Sequence, residues 1–171
     1  STHVTSILMT KNTPYDPVRD FSPISIAVEP VTCIAVNADL PVSNVTELID
    51  YAKKNPNKIS YSSPGVGAVF HFTSEIFRMR AGIDIVHVPY KGLAPALTDM
   101  IGGQIQIGFG SYSTVGQHIK AHRLRALAVT SAKRSPATPE LPTIAEEGFP
   151  GYEAIPWWGV LLPAATPKPL V

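Results

Sequence analysis

Tyr61-Ser62-Ser63-Pro64-Gly65-Val66-Gly67-Ala68-Val69-Phe70-His71 reads as a short strand that runs through a glycine-broken turn into a helix. Phe72, Ile76, Phe77 and Met79 are the apolar positions of that helix, and Gly82 is its stop. A junction of this kind leaves backbone N–H groups free at the mouth of a helix. The positive end of the helix dipole points the same way, so the geometry suits an anion. Glycine lets the backbone approach a ligand closely. The turn holds no lysine or arginine, which favours a carboxylate-sized anion held by backbone dipoles over a polyphosphate held by a basic clamp. No Gly-Lys-Ser or Gly-Lys-Thr follows, so it is not a Walker loop, and Gly65-Val66-Gly67 lacks the third glycine of a dinucleotide fingerprint. The pattern alone leaves two alternatives open: an anion site, or glycines that serve only the turn.

The flanking sequence alternates in the same way. Strands are predicted at 58–62, 83–88, 104–109 and 124–129, with helices at 68–80, 94–101 and 114–122 between them. This order implies an α/β fold with a mainly parallel sheet and helices on its faces. Ligands on such sheets sit at the carboxyl ends of the strands. The loops Ser62–Val69, Pro89–Gly92 and Gly110–Ser113 all fall on that edge. Upstream, residues 1–22 read as irregular and polar. Two extended runs, Ile24–Val28 and Thr32–Val36, are broken by Glu29-Pro30, and a helix over Val45–Lys54 has Ser43 or Asn44 as its cap. Past Val129 the chain is polar and proline-rich over 131–142. A helical turn or two is predicted at 143–147 and a strand at 157–162. Pro167-Lys168-Pro169 looks like a helix entrance, and Ser1-Thr2-His3 resembles neither a signal sequence nor a normal start, so a chain cut short is expected.

Composition narrows the function classes. The 171 residues suffice for one good core or two small lobes, with 44% hydrophobic and 16% charged residues. A net charge of +1 gives no electrostatic drive toward nucleic acid or an anionic membrane. The seventeen prolines lie mostly between elements and imply firm, extended connections. A lone cysteine, Cys33, excludes an intrachain disulfide and reads as a buried structural thiol. No apolar run reaches the roughly 18 residues needed to span a membrane.

Several side chains admit a functional and a plain reading. His71 could donate to a ligand carboxylate or only hold the glycine turn. His87, inside a buried-looking strand, reads as a satisfied core histidine. Tyr90 could line a pocket, and Lys91 could draw anions or merely be solvated. His118 and His122 share a helix face but lack a third ligand, so no metal is expected, and no cofactor either. Trp157 and Trp158 read by default as core aromatics. Ser62 and Ser63 could act as nucleophiles only with a base and an orienting acid, which sequence alone does not assemble.

The runs Ser62-Ser63-Pro64-Gly65-Val66-Gly67 with His71, Ile85-Val86-His87-Val88-Pro89-Tyr90-Lys91-Gly92, Ala94-Pro95-Ala96-Leu97-Thr98-Asp99 and Gly102-Gly103-Gln104 resemble the solute receptors of tripartite tricarboxylate transporters, the Bug proteins. Leu124–Thr130, Arg134-Ser135-Pro136, Pro142–Glu146 and Gly148–Tyr152 fit as well, so the resemblance spans nearly the whole chain. It implies a periplasmic-binding-protein type II-like receptor, with two lobes closing on a small carboxylate that is handed to membrane permease subunits. Residues 37–129 would be a complete second lobe. Residues 1–36 and 130–171 would be hinge strands and part of the first, with that lobe's glycine-rich loop and the closing helix missing.

Carried over residue by residue, the family's anion turn falls on Ser62, Ser63, Gly65, Val66, Gly67, Ala68 and Val69, and its helix histidine on His71. Tyr90 and Lys91 follow from the next loop, Gly110 and Ser111 from the one after. Many members carry serine or threonine where this chain has Ala68, and aspartate where it has Gly110. The missing aspartate disfavours an amino-acid ligand and favours a bulkier di- or aromatic carboxylate. Two other readings are kept. One is a hydrolase-like enzyme using Ser63, and the other a truncated lobe that self-associates through exposed apolar surface.

Overall fold

The computed structural model describes residues 2–170. In chain order the elements are α1 (Thr2–Met9), β1 (Phe21–Val28), β2 (Thr32–Asn37), α2 (Val45–Lys54), β3 (Ser60–Ser63), α3 (Val69–Ala81), β4 (Val86–Pro89), α4 (Leu93–Ile101), β5 (Ile107–Ser111), α5 (Tyr112–Lys120), β6 (Leu124–Val129) and β7 (Trp158–Pro163), with a 3-10 turn at Lys168–Leu170. The main sheet has the order β4-β3-β5-β2-β6, and β1 pairs with β7 in a separate two-stranded ribbon.

The alternation of β2 shows how the layers form. Ile34 and Val36 face one core with Leu48 and Ile49 of α2 and Phe70 and Phe77 of α3. Cys33 and Ala35 face the other, with Met100 of α4 and Val115 of α5. Successive strand residues point to opposite faces, so one six-residue strand that is buried throughout supplies both sides of an α/β/α sandwich. Burial pushes the Cys33 thiol up to about 12, as expected of an inert structural cysteine.

The α/β class read from sequence holds, but the sheet is mixed. β3 runs parallel to β4 and β5, while β2 runs antiparallel to both β5 and β6. No crossover helix precedes β2, because it enters directly from the ribbon strand β1. Nothing therefore obliges it to run with the others. The core is also wider than 37–129: it draws in Ile34 and Val36 of β2, and Ile144 and Tyr152 of the returning segment.

Three local expectations are corrected. Residues 2–9 form a helix rather than an irregular stretch. Its threonines, valine and isoleucine are poor helix formers, and tertiary contacts hold it: His3 stacks on Tyr15 at 4.8 Å and meets Phe21 edge-on at 4.5 Å. Residues 143–147 form turns without a helix, with Glu146 Oε2 accepting from Thr143 N at 2.8 Å. Trp158 is not a core residue but stands 47% exposed on the ribbon.

Helix α2 is capped as expected by one of the two named residues. Asn44 Oδ1 accepts from Glu47 N at 2.8 Å, and Glu47 reaches back to Ser43 N at 2.7 Å. Asn44→Ala should cost about 1 kcal/mol. Followed by circular dichroism, that is a fall in Tm of roughly 2–4 °C. An unchanged Tm would mean that core packing alone holds α2.

Candidate functional site

Strand direction decides where the helices begin. Because β3, β4 and β5 run parallel, α3, α4 and α5 all start at one edge of the sheet. Their cap positions are Ala68, Gly92 and Ser111, and none makes a side-chain capping bond. Helix α2 follows the antiparallel strand, starts at the opposite edge and is capped. Three uncapped helix N-termini thus meet at the carboxyl edge, where their dipoles favour negative charge.

The glycine turn is the most open of the three. Gly65 and Gly67 have φ of +144° and +80°, values that L side chains rarely adopt. Ala68 N donates to Gly65 O at 3.2 Å and Gly67 N to His71 Nδ1 at 3.3 Å. Among the described residues, the N–H groups of Val66, Val69 and Phe70 have no recorded partner. Val66 stands 65% exposed at the tip. Helix α1 reaches over the turn: a Cβ on Gly67 would lie 3.4 Å from Met9 Cγ.

The two serines diverge. Ser62 points toward α4, where its Oγ lies 3.2 Å from the place a Cβ on Gly108 would take. Ser63 points toward α3. Its Oγ donates to Gly65 O at 3.1 Å, accepts from Gly65 N at 3.3 Å and lies 2.7 Å from His87 Nε2. Strand alternation alone separates them, so the two hydroxyls do not converge on one anion. Tyr90 also turns away from the turn: its OH donates to Asp99 Oδ2 at 2.6 Å, and desolvation with that bond pushes the phenol up to about 12. Its backbone does serve the site, since Tyr90 N donates to Ser63 O at 2.9 Å. Lys91 is exposed at the same edge. Gly110 lies buried at the end of β5, and Ser111 pairs with Ser113 through their hydroxyls at 2.8 Å.

Of the open alternatives for His71, the structure contains the turn-holding bond. His87 is half-buried and bonded to Ser63, a contact that its strand setting gave no reason to foresee. The signal was the register: Tyr61 pairs with His87 across β3 and β4, which stacks their rings at 4.8 Å and brings Ser63 diagonally within reach.

A larger hollow of about 400 Å3 opens elsewhere, lined in part by Asn37, Tyr51, Asn55, Lys58 and Gln106. It lies where β2 ends and β3 begins, at the edge away from the uncapped helices. Its amides are spent on the fold: Asn37 Nδ2 donates to Met100 O, and Gln106 Oε1 accepts from Ser60 N. The carboxyl edge is therefore the better candidate, despite its shallower relief.

The model of the tripartite tricarboxylate transporter family receptor matches residues 1–171. The chain belongs to that family. It is 40% identical over 159 residues to a UPF0065 protein of Pseudomonas sp. strain P51, covering 92% of this chain and 47% of that one. With Protein BugT of Bordetella pertussis it shares 34% identity over 159 residues, covering 92% and 49%. Among solved structures it matches R. palustris Rpa4515 with adipate at TM-score 0.90 and 37% identity, covering 99% of this chain and 56% of that one. It matches the periplasmic binding protein BugD at TM-score 0.89 and 37% identity, with the same coverage. The chain thus spans about half the length of these relatives.

Membership in this receptor family rules against the hydrolase-like reading of Ser63, since the family and its solved members are solute-binding proteins, not enzymes. The geometry agrees. Ser63 is 1% exposed with its hydroxyl committed to the turn, and Glu75 is bonded to Tyr61 and Arg78 rather than orienting His87. Among the described residues, no group of three or more His, Cys, Asp or Glu could hold a metal, and no helix is long and apolar enough to cross a membrane.

Proposed function

We propose that this chain is the ligand-capturing part of a periplasmic receptor for a small organic carboxylate, a dicarboxylate or aromatic acid in particular. The receptor would deliver its ligand to the permease subunits of a tripartite tricarboxylate-type transporter. The observation that carries the reading is the set of three uncapped helix N-termini at one sheet edge, with the glycine turn offering the unpartnered N–H groups of Val66, Val69 and Phe70. An anion there accepts charge-assisted bonds without a cationic side chain. The related receptor solved with adipate supports the ligand class.

The binding role falls to backbone of Ser63 through Val69, with Ala68 leaving room that a hydroxyl would take. Gly110 and Ser111 would border the ligand from the start of α5, and Lys91 would add long-range attraction. Ser62, His71 and Tyr90, carried over from the family, would act from beneath: their side chains are bonded or packed into the lobe and fix the backbone that binds. Capture would proceed by closure, with α1 and the turn approaching across the ligand.

A thermal-shift screen with aliphatic and aromatic mono-, di- and tricarboxylates tests this. A ligand at a hundred times its Kd adds about 2.7 kcal/mol. For a chain of this size that raises Tm by roughly 5–11 °C. A selective response to dicarboxylates or aromatic acids is the expected result. Silence toward every acid, repeated on the full-length receptor, would overturn the proposal.

A further inference from the structure

Two imidazoles stand beneath the anion turn. His71 is the third residue of α3, and its Nδ1 reaches back to accept the Gly67 N–H at 3.3 Å. A side chain at this helix position usually serves a capping box through a carboxylate or amide. His87 arrives from β4 with Nε2 2.7 Å from Ser63 Oγ. The Ser63 proton goes to Gly65 O, so Oγ accepts from His87, which places a proton on Nε2 by the logic of the network. The rings lie face to face, with centroids 4.3 Å apart and planes 27° apart, and Tyr61 stacks on the far side of His87. Every residue of the turn that must hold an unusual backbone angle is thereby tied, directly or through Ser63, to one imidazole or the other.

This arrangement constrains protonation. An Nδ1 that accepts a backbone N–H must carry no proton, so only neutral His71, in the Nε2–H form, fits. A charged His71 would set donor against donor at Gly67 and place a cation against the His87 ring. The groups facing His71 are few: His87 from β4, Tyr61 of β3 behind it, and Glu75 one turn along α3. Glu75 is held as a carboxylate chiefly by its bond to Arg78 and would favour a charged ring. From α1 the turn meets Met9, which carries no charge. Burial, with His71 alongside, pulls the His87 pKa down.

We propose that His71 is a positioning residue for the anion turn, clamping Gly67 through a bare Nδ1 over the His87–Ser63 pair, and that its protonation releases the clamp. Its importance for capture rests on the carboxylate reading, but the clamp exists without ligand and can be tested without one.

The experiment is 1H–15N NMR of the ligand-free chain between about pH 8 and pH 5, the span over which imidazoles change charge. The Gly67 amide resonance should move along the same curve as the His71 ring signals. Relative to its intrinsic rate, Gly67 amide exchange should quicken about fivefold, the worth of one net hydrogen bond. His71→Asn keeps an acceptor at the same branch of the side chain and removes the charge. It should hold the Gly67 amide near its native position and abolish its titration. His71→Phe should displace that amide at every pH. A Gly67 amide that ignores the His71 titration in the native chain overturns the proposal without any variant. A titration that persists in His71→Asn overturns it too. Because no carboxylate is added, either outcome is independent of whether the ligand class is right.

Discussion

Phe77→Ala should lower the stability of this chain by about 3–5 kcal/mol. Phe77 is fully buried at the middle of α3. Its ring meets Phe109 of β5 at 5.7 Å, Phe149 at 6.1 Å and Tyr152 edge-on at 6.5 Å. Two chain segments distant in sequence, β5 and the stretch holding Phe149 and Tyr152, therefore pack on one side chain, and neither has a short route to refill the space. Tyr152 is itself anchored, donating to Thr73 O at 3.2 Å, which limits collapse further. At roughly 2–4 °C per kcal/mol, the melting temperature should fall on the order of 10 °C. Phe149→Ala, at the half-buried rim of the same cluster, should cost clearly less. Equal losses for the two, measured by thermal melts, would show that the cluster packs around Phe149 instead.

The same residue shows what the sequence disclosed and what it withheld. The spacing of Phe72, Ile76, Phe77 and Met79 located α3 to within a residue at each end, because a helix with a buried face repeats its apolar positions. It did not tell which of those four are buried: Phe77 is, whereas Met79 is 72% exposed and Ile76 42%. Strand direction was similarly hidden. The run Thr32–Val36 is apolar whichever way it points, and only its arrival from the β1–β7 ribbon makes it antiparallel. Helix α1 left no trace because its support comes from Tyr15 and Phe21 rather than from its own residues.

For the candidate site, the glycine turn and its helix were legible from local pattern, since backbone freedom and dipole direction follow from residue type and order. The side chains around it were not. Ser62 and Ser63 are neighbours in sequence and opposites in space, a consequence of strand alternation once β3 extends through Ser63. The His71–His87 stack depends on the parallel register of β3 and β4, which no single segment encodes. The family resemblance pointed to the turn as a candidate binding element. It could not supply the contacts beneath, because those belong to this chain's own packing.

Gly67→Ala should weaken carboxylate binding about tenfold or more, the equivalent of roughly 1.4 kcal/mol, while leaving the chain folded. Gly67 holds φ at +80°, where a Cβ costs about 1–2 kcal/mol. The added methyl would also stand 3.4 Å from Met9 Cγ and 3.5 Å from its Cε. Met9 is a flexible side chain and can yield, so the backbone strain decides the outcome. Relief of that strain would swing the Gly67 N–H off His71 and reorient the unpartnered N–H groups of Val66 and Val69 on either side of it. The control is Gly82→Ala at the other end of α3, where φ is +59° and nothing lies within 4 Å of the added carbon. Both variants strain a left-handed position and should lose similar stability, but only the first disturbs the turn. Calorimetric titration with the dicarboxylate that gives the largest thermal shift would separate them. Native affinity in Gly82→Ala with loss in Gly67→Ala assigns capture to the turn. Equal affinities would move the ligand elsewhere on the carboxyl edge, toward the starts of α4 and α5.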